Sequence, residues 1–158
     1  MKIRYTYRLT ILLFVFLFFI SPNLFADEPI TVFGRMGGMD TFITLYKKVE
    51  GEENFKALSL EVKSAGSICI VPHLKSFFES IKNGDVNVET ILSKHNLNGL
   101  KQEEINKIKK PLEEVLEWYK SNYPYYPYRS KDNCIDSMAK IGNAYAVFWN
   151  SLLEIRRK

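Results

Sequence analysis

Two cysteines, two histidines and one tyrosine-rich segment are the chemically distinctive side chains of this chain. Cys69 and Cys134 form an even pair. In an oxidising compartment such a pair most simply closes one disulfide, with two free thiols or a shared metal as the competing use. His73 lies four residues after Cys69, so the two could share a helix face, but no third metal ligand is identifiable. Neither His73 nor His95 belongs to a pattern of two histidines one turn apart with a glutamate. No metal or other cofactor is expected.

Nucleophilic catalysis has no visible apparatus. A serine nucleophile needs a base and a turn that presents it, and no Gly-x-Ser-x-Gly elbow occurs. Gly34, Gly37 and Gly38 lack both the Gly-Lys-Ser/Thr ending of a phosphate loop and the dinucleotide spacing, and read as a turn. Glu50, Glu52 and Glu53, and separately Glu113, Glu114 and Glu117, look like exposed charge. Catalytic carboxylates would need a cleft that sets their pKa values apart. No catalytic residue is assigned.

The stretch Tyr123-Pro124-Tyr125-Tyr126-Pro127-Tyr128 stands apart. Proline disfavours helix in the residue before it, and tyrosine offers contact area and a hydroxyl at low conformational cost. Tyr123, Tyr125, Tyr126 and Tyr128 are the candidate protein-binding residues. The alternative is a rigid connector whose rings pack onto the flanking helices.

The elements that must position these groups begin after an export signal. Lys2, Arg4 and Arg8 precede an apolar run from Leu9 to Ile20, then Ser21-Pro22-Asn23 and Leu24-Phe25-Ala26 before Asp27. This is the charged, apolar and small-residue order of a secretory signal peptide over residues 1–26, cut after Ala26. An apolar run of this length is short for a membrane span, an uncleaved anchor is the rival reading, and no cysteine lies near the cut to carry a lipid. The whole chain of 158 residues carries 22 Lys+Arg against 18 Asp+Glu. Removing the signal's three basic residues lowers the net charge from +4 to +1. A nucleic-acid partner, which needs a basic stripe, is therefore not expected. Lys107, Lys109 and Lys110 alternate with glutamates, as on a solvated helix face.

Residues 27–158 have the size of a single globular domain. The expected fold class is α+β and predominantly helical: a small N-terminal antiparallel β meander followed by about four helices, with one disulfide. The meander comprises an extended Pro29–Phe33, the glycine turn, a strand over Thr41–Val49, a turn at Glu50–Asn54, and a strand in which Leu58, Leu60 and Val62 alternate with polar residues. Phe42, Leu45, Tyr46 and Val49 also fit helical spacing. Helices are expected from Pro72 to Asn83, through Val88, Ile91 and Leu92, and from about Lys101 to Tyr119 with Pro111 kinking or splitting it. The last is capped by Asp132 or Asn133 and presents Ile135, Met138, Gly142, Tyr145, Trp149 and Leu152 to the core, with Gly142 admitting another element closely.

These readings point to a small exported protein, periplasmic or secreted, that acts without catalysis by binding another protein, as an inhibitor, an immunity protein or an envelope adaptor. Its general profile of signal, two cysteines and helices is similar to that of small immunity proteins of secreted amidase effectors. The alternatives are a small envelope hydrolase without a recognisable motif and an envelope stress chaperone. No stable membrane insertion is expected once the signal is removed.

Overall fold

Pro72 opens a helix because its missing N–H is one that the first turn leaves unbonded in any case. Leu74, Phe77, Phe78 and Ile81 follow at helical spacing and are all buried, and Gly84, at φ 85°, ends the element. The computed structural model describes residues 32–122 and 130–158. Six α-helices occupy them: α1 (Val32–Glu50), α2 (Glu52–Ala65), α3 (Pro72–Asn83), α4 (Val88–Leu92), α5 (Gln102–Asn122) and α6 (Lys131–Arg156), with a 3₁₀ turn at Ile68–Ile70. Residues 1–26, expected to be a signal peptide, and the four candidate tyrosines Tyr123, Tyr125, Tyr126 and Tyr128 lie outside the described residues.

No strand occurs among the described residues, so the expected N-terminal meander is overturned and the α+β class with it. Thr41–Val49 lies within α1. Phe42, Leu45 and Tyr46 are buried at i, i+3 and i+4, the helical spacing rather than the alternating one. The hydroxyls of Thr41 and Thr44 donate to the carbonyls of Gly37 and Asp40 one turn back, which satisfies β-branched polar side chains inside a helix. Leu58, Leu60 and Val62 lie within α2. Leu58 is buried while Leu60 is 67% exposed, opposite to the shared face that a strand would require. Glu52 and Glu53 favour the start of α2 through the helix dipole, and Gly66 ends it in the left-handed conformation. Only Gly51, at φ 91°, acts as a turn in this region.

Gly34, Gly37 and Gly38 form no turn either. They lie in α1, where Gly38 has another use. A Cβ on Gly38 would stand 2.5 Å from the Ala139 carbonyl oxygen, and one on Gly142 would overlap the Gly38 carbonyl oxygen. The backbones of α1 and α6 therefore cross in direct contact at this glycine pair, as the position of Gly142 led one to expect. Ion pairing of Arg35 Nε with Asp136 Oδ1 at 2.8 Å joins the same two helices.

α6 also packs along α5, while α3 packs against α2 and α5. At the centre Phe42 meets Phe77 edge-on, with centroids 5.5 Å apart, and Phe78 in a stack at 5.7 Å; Phe78 stacks in turn on Tyr119 at 5.3 Å. Pro111 is accommodated within α5, which continues through it as one element. The N-cap of α6 is Ser130, whose Oγ accepts from the Asn133 N–H at 3.1 Å, in place of the expected Asp132 or Asn133. Cys69 and Cys134 are joined, with Cα atoms 5.9 Å apart, tying the 3₁₀ turn to the first turn of α6.

Candidate functional site

The two histidines become the centres of two different arrangements. His95 follows α4, held by a backbone hydrogen bond from its N–H to the Leu92 carbonyl. Its ring lies among Tyr145, Phe148 and Trp149 of α6, at centroid separations of 5.7, 5.0 and 5.2 Å. The i, i+3 and i+4 spacing puts those three side chains on one face. Tyr145 Oη stands 3.0 Å from His95 Nε2. Burial, helped by the positive charges of Lys48 and Arg156, lowers the imidazole pKa to about 4, and burial raises the Tyr145 phenol to about 12. At neutral pH the ring is therefore uncharged and shares one hydrogen bond between Nε2 and the Tyr145 hydroxyl.

His73 sits in the first turn of α3 and is gripped by Glu61 of α2. One carboxylate oxygen accepts from the His73 backbone N–H at 3.1 Å and the other lies 2.5 Å from Nδ1. Burial opposes the carboxylate charge, but the two hydrogen bonds from His73 and its nearby charge outweigh it and hold Glu61 below its ordinary value. The grip supplies an acceptor to one of the unbonded N–H groups at the start of α3 and adds a negative charge where the helix dipole favours one. An imidazole oriented at Nδ1 by a carboxylate is also the arrangement of a base awaiting a proton at Nε2.

The acidic run of α5 borders an open groove of about 300 Å³ lined by Asn87, Glu89, Glu113, Leu116, Glu117 and Lys120. Its carboxylates are paired. Glu113 binds Lys109 at 2.8 Å and Glu117 binds Lys120 at 2.8 Å, with Lys109 also 3.9 Å from Glu89. The hydrogen bond from Lys109 to Glu113 prevails over burial and, with both carboxylate charges, raises the Lys109 pKa. Glu114 pairs instead with Lys110. This is the solvated, ion-paired face that the alternating charges predict.

Cys69 is taken up by the disulfide and does not meet His73 as a ligand. No group of three His, Cys, Asp or Glu side chains able to hold a metal comes together among the described residues. No described helix is long and apolar enough to cross a membrane. Sequence reasoning missed three members of these arrangements: Glu61, Lys48 and the exposure of Trp149, which is 38% exposed rather than core. None of the three left a local signal in the sequence. No protein-family model matches the chain, and neither does any curated protein or solved structure.

Proposed function

We propose that the chain is a small exported protein that acts by binding another protein, in the manner of an inhibitor, an immunity protein or an envelope adaptor. The observation that supports export is the Cys69–Cys134 disulfide, a bond that persists in oxidising compartments outside the cytoplasm. It agrees with the signal-like order of residues 1–26. The tyrosine and proline segment between α5 and α6 supplies the residue types of a binding patch, with Tyr123, Tyr125, Tyr126 and Tyr128 as its contacts. The bridge at Cys134 lies one turn into the helix that follows this segment. A pulldown from envelope extracts tests the reading. The disulfide-bonded chain recovers a specific partner, and replacing the four tyrosines by serine abolishes the recovery. Equal recovery by both chains removes the tyrosines from the interface, and no specific partner for either removes the function.

A second reading, a small envelope hydrolase, rests on the His73–Glu61 pair, in which a carboxylate orients an imidazole. In that case His73→Gln abolishes hydrolysis of envelope polymers while leaving the fold intact. A hydrolytic activity unchanged by His73→Gln and by Glu61→Gln ends that reading and leaves the pair as a helix cap.

A further inference from the structure

The His95 cluster has a wet edge as well as a dry one. Phe148 and Tyr145 are buried, but Trp149 stays 38% exposed with one side of its indole against the imidazole. The indole is thus fixed by packing and still presents surface to solvent. Lys48, near the end of α1, and Arg156, in the last turn of α6, are exposed and near enough to the imidazole to oppose its protonation. Among the described residues neither makes an ion pair or a side-chain hydrogen bond, unlike Lys47, which binds Glu52. Arg156 lies two turns beyond Trp149 on the same stripe of α6, whereas Glu154, the carboxylate of that turn, is about 160° round the helix from Arg156. Lys94, also exposed, immediately precedes His95.

We propose that His95, Trp149, Lys48 and Arg156 form a docking surface for an acidic segment of a partner protein, which seats an apolar or aromatic side chain on Trp149. The proposal rests on the protein-binding reading and names where on the described fold, and for what chemistry, binding takes place. Charge complementarity selects the occupant, because among the described residues Lys48 and Arg156 at the rim are paired with no carboxylate. The centre suits a dry contact: an uncharged imidazole already hydrogen-bonded with Tyr145 loses little when water leaves. An aromatic centre with an arginine at its rim matches the residue types that dominate protein interfaces. A nucleic acid would require a longer basic stripe. An anionic membrane would require a denser basic cluster and apolar side chains standing out from the surface, whereas the Trp149 ring rests against His95.

The test uses the disulfide-bonded chain purified from the periplasm of an expression host. A random-peptide phage library is selected on it, and the enriched peptides are synthesised. The enriched sequences carry Asp or Glu beside aromatic or large apolar residues. Their binding shifts the Trp149 fluorescence in a Trp118→Phe background. The affinity, measured by titration calorimetry, weakens by about tenfold or more in the double variant Lys48→Glu/Arg156→Glu and in Trp149→Ala. The exposed charge reversals leave the circular dichroism unchanged, which separates lost docking from lost folding. Peptides without acidic residues, or binding unchanged in both variants, overturn this surface while leaving protein binding elsewhere on the molecule intact. Failure to enrich any peptide overturns the surface, and the envelope pulldown then decides the wider reading. Binding of phosphatidylglycerol vesicles through the same four residues, in place of peptides, assigns the surface to lipid and also overturns the proposal.

Discussion

At the scale of single residues, His95 makes the fold pH-sensitive on the acid side. Its pKa falls from 6.5 to about 4 on folding, so the unfolded chain takes up the proton first. The stabilising contribution is fully present above 6.5 and is lost as the pH falls from there towards 4. After allowance for solvent at a half-buried ring, the loss is about 1–2 kcal/mol. Denaturant midpoints at pH 7 and pH 5 check this: the wild type loses more stability over that interval than His95→Asn does. The glycines of α1 and α6 give a sharper contrast. Gly142→Ala forces a methyl onto the Gly38 carbonyl and costs about 3 kcal/mol or more. Gly37→Ala, with nothing within 4 Å of the added methyl, stabilises by about 0.5–1 kcal/mol through helix propensity. Thermal melts of the two variants should move in opposite directions.

At the scale of elements, α1 joins α6 at a close crossing of which Gly142 gives a local sign and Gly38 does not. Phe42 and Phe78 stack across α1 and α3, so Phe78→Ala, which empties the stack between Phe42 and Tyr119, costs about 3–5 kcal/mol, read from the denaturant midpoint. α3 was legible because Pro72, four apolar positions at helical spacing and Gly84 all agree. In α1 and α2 the signals conflicted. Threonines and aromatics at 41–49 favour a strand by composition, while Phe42, Leu45 and Tyr46 keep helical time, and burial follows the latter. Leu60 completed a false alternation with Leu58 and Val62 because exposed leucines are ordinary on helices. Gly38 looked like a turn because a glycine required for close helix approach and one required for a bend are the same letter. Gly142 was read correctly because the strong periodicity around it already declared a helix. Of the candidate site, the disulfide was legible from the parity of the cysteines. The grip of Glu61 on His73 depends on how α2 folds back against α3, and the meeting of His95 with Trp149 joins residues 54 apart in the chain. Neither long-range meeting leaves a local mark.

At the scale of the whole molecule, the disulfide closes a loop of 65 residues that spans α3, α4 and α5. By the loss of unfolded-chain entropy it contributes roughly 4 kcal/mol. Reduction, or Cys69→Ser/Cys134→Ser, lowers the denaturation midpoint accordingly and steepens its denaturant dependence, because an uncrosslinked unfolded chain exposes more surface. The same bond links the fold to its compartment. If the protein is exported and acts outside the cytoplasm, the chain that reaches the envelope has lost residues 1–26 and carries Cys69 bonded to Cys134. The intact mass of the protein recovered from a fractionated envelope, measured before and after reduction, tests this most directly. The expected result is a chain that begins at Asp27, or within a few residues of it, and gains two hydrogens on reduction. A full-length chain with two free thiols, found in the cytosolic fraction, would contradict it.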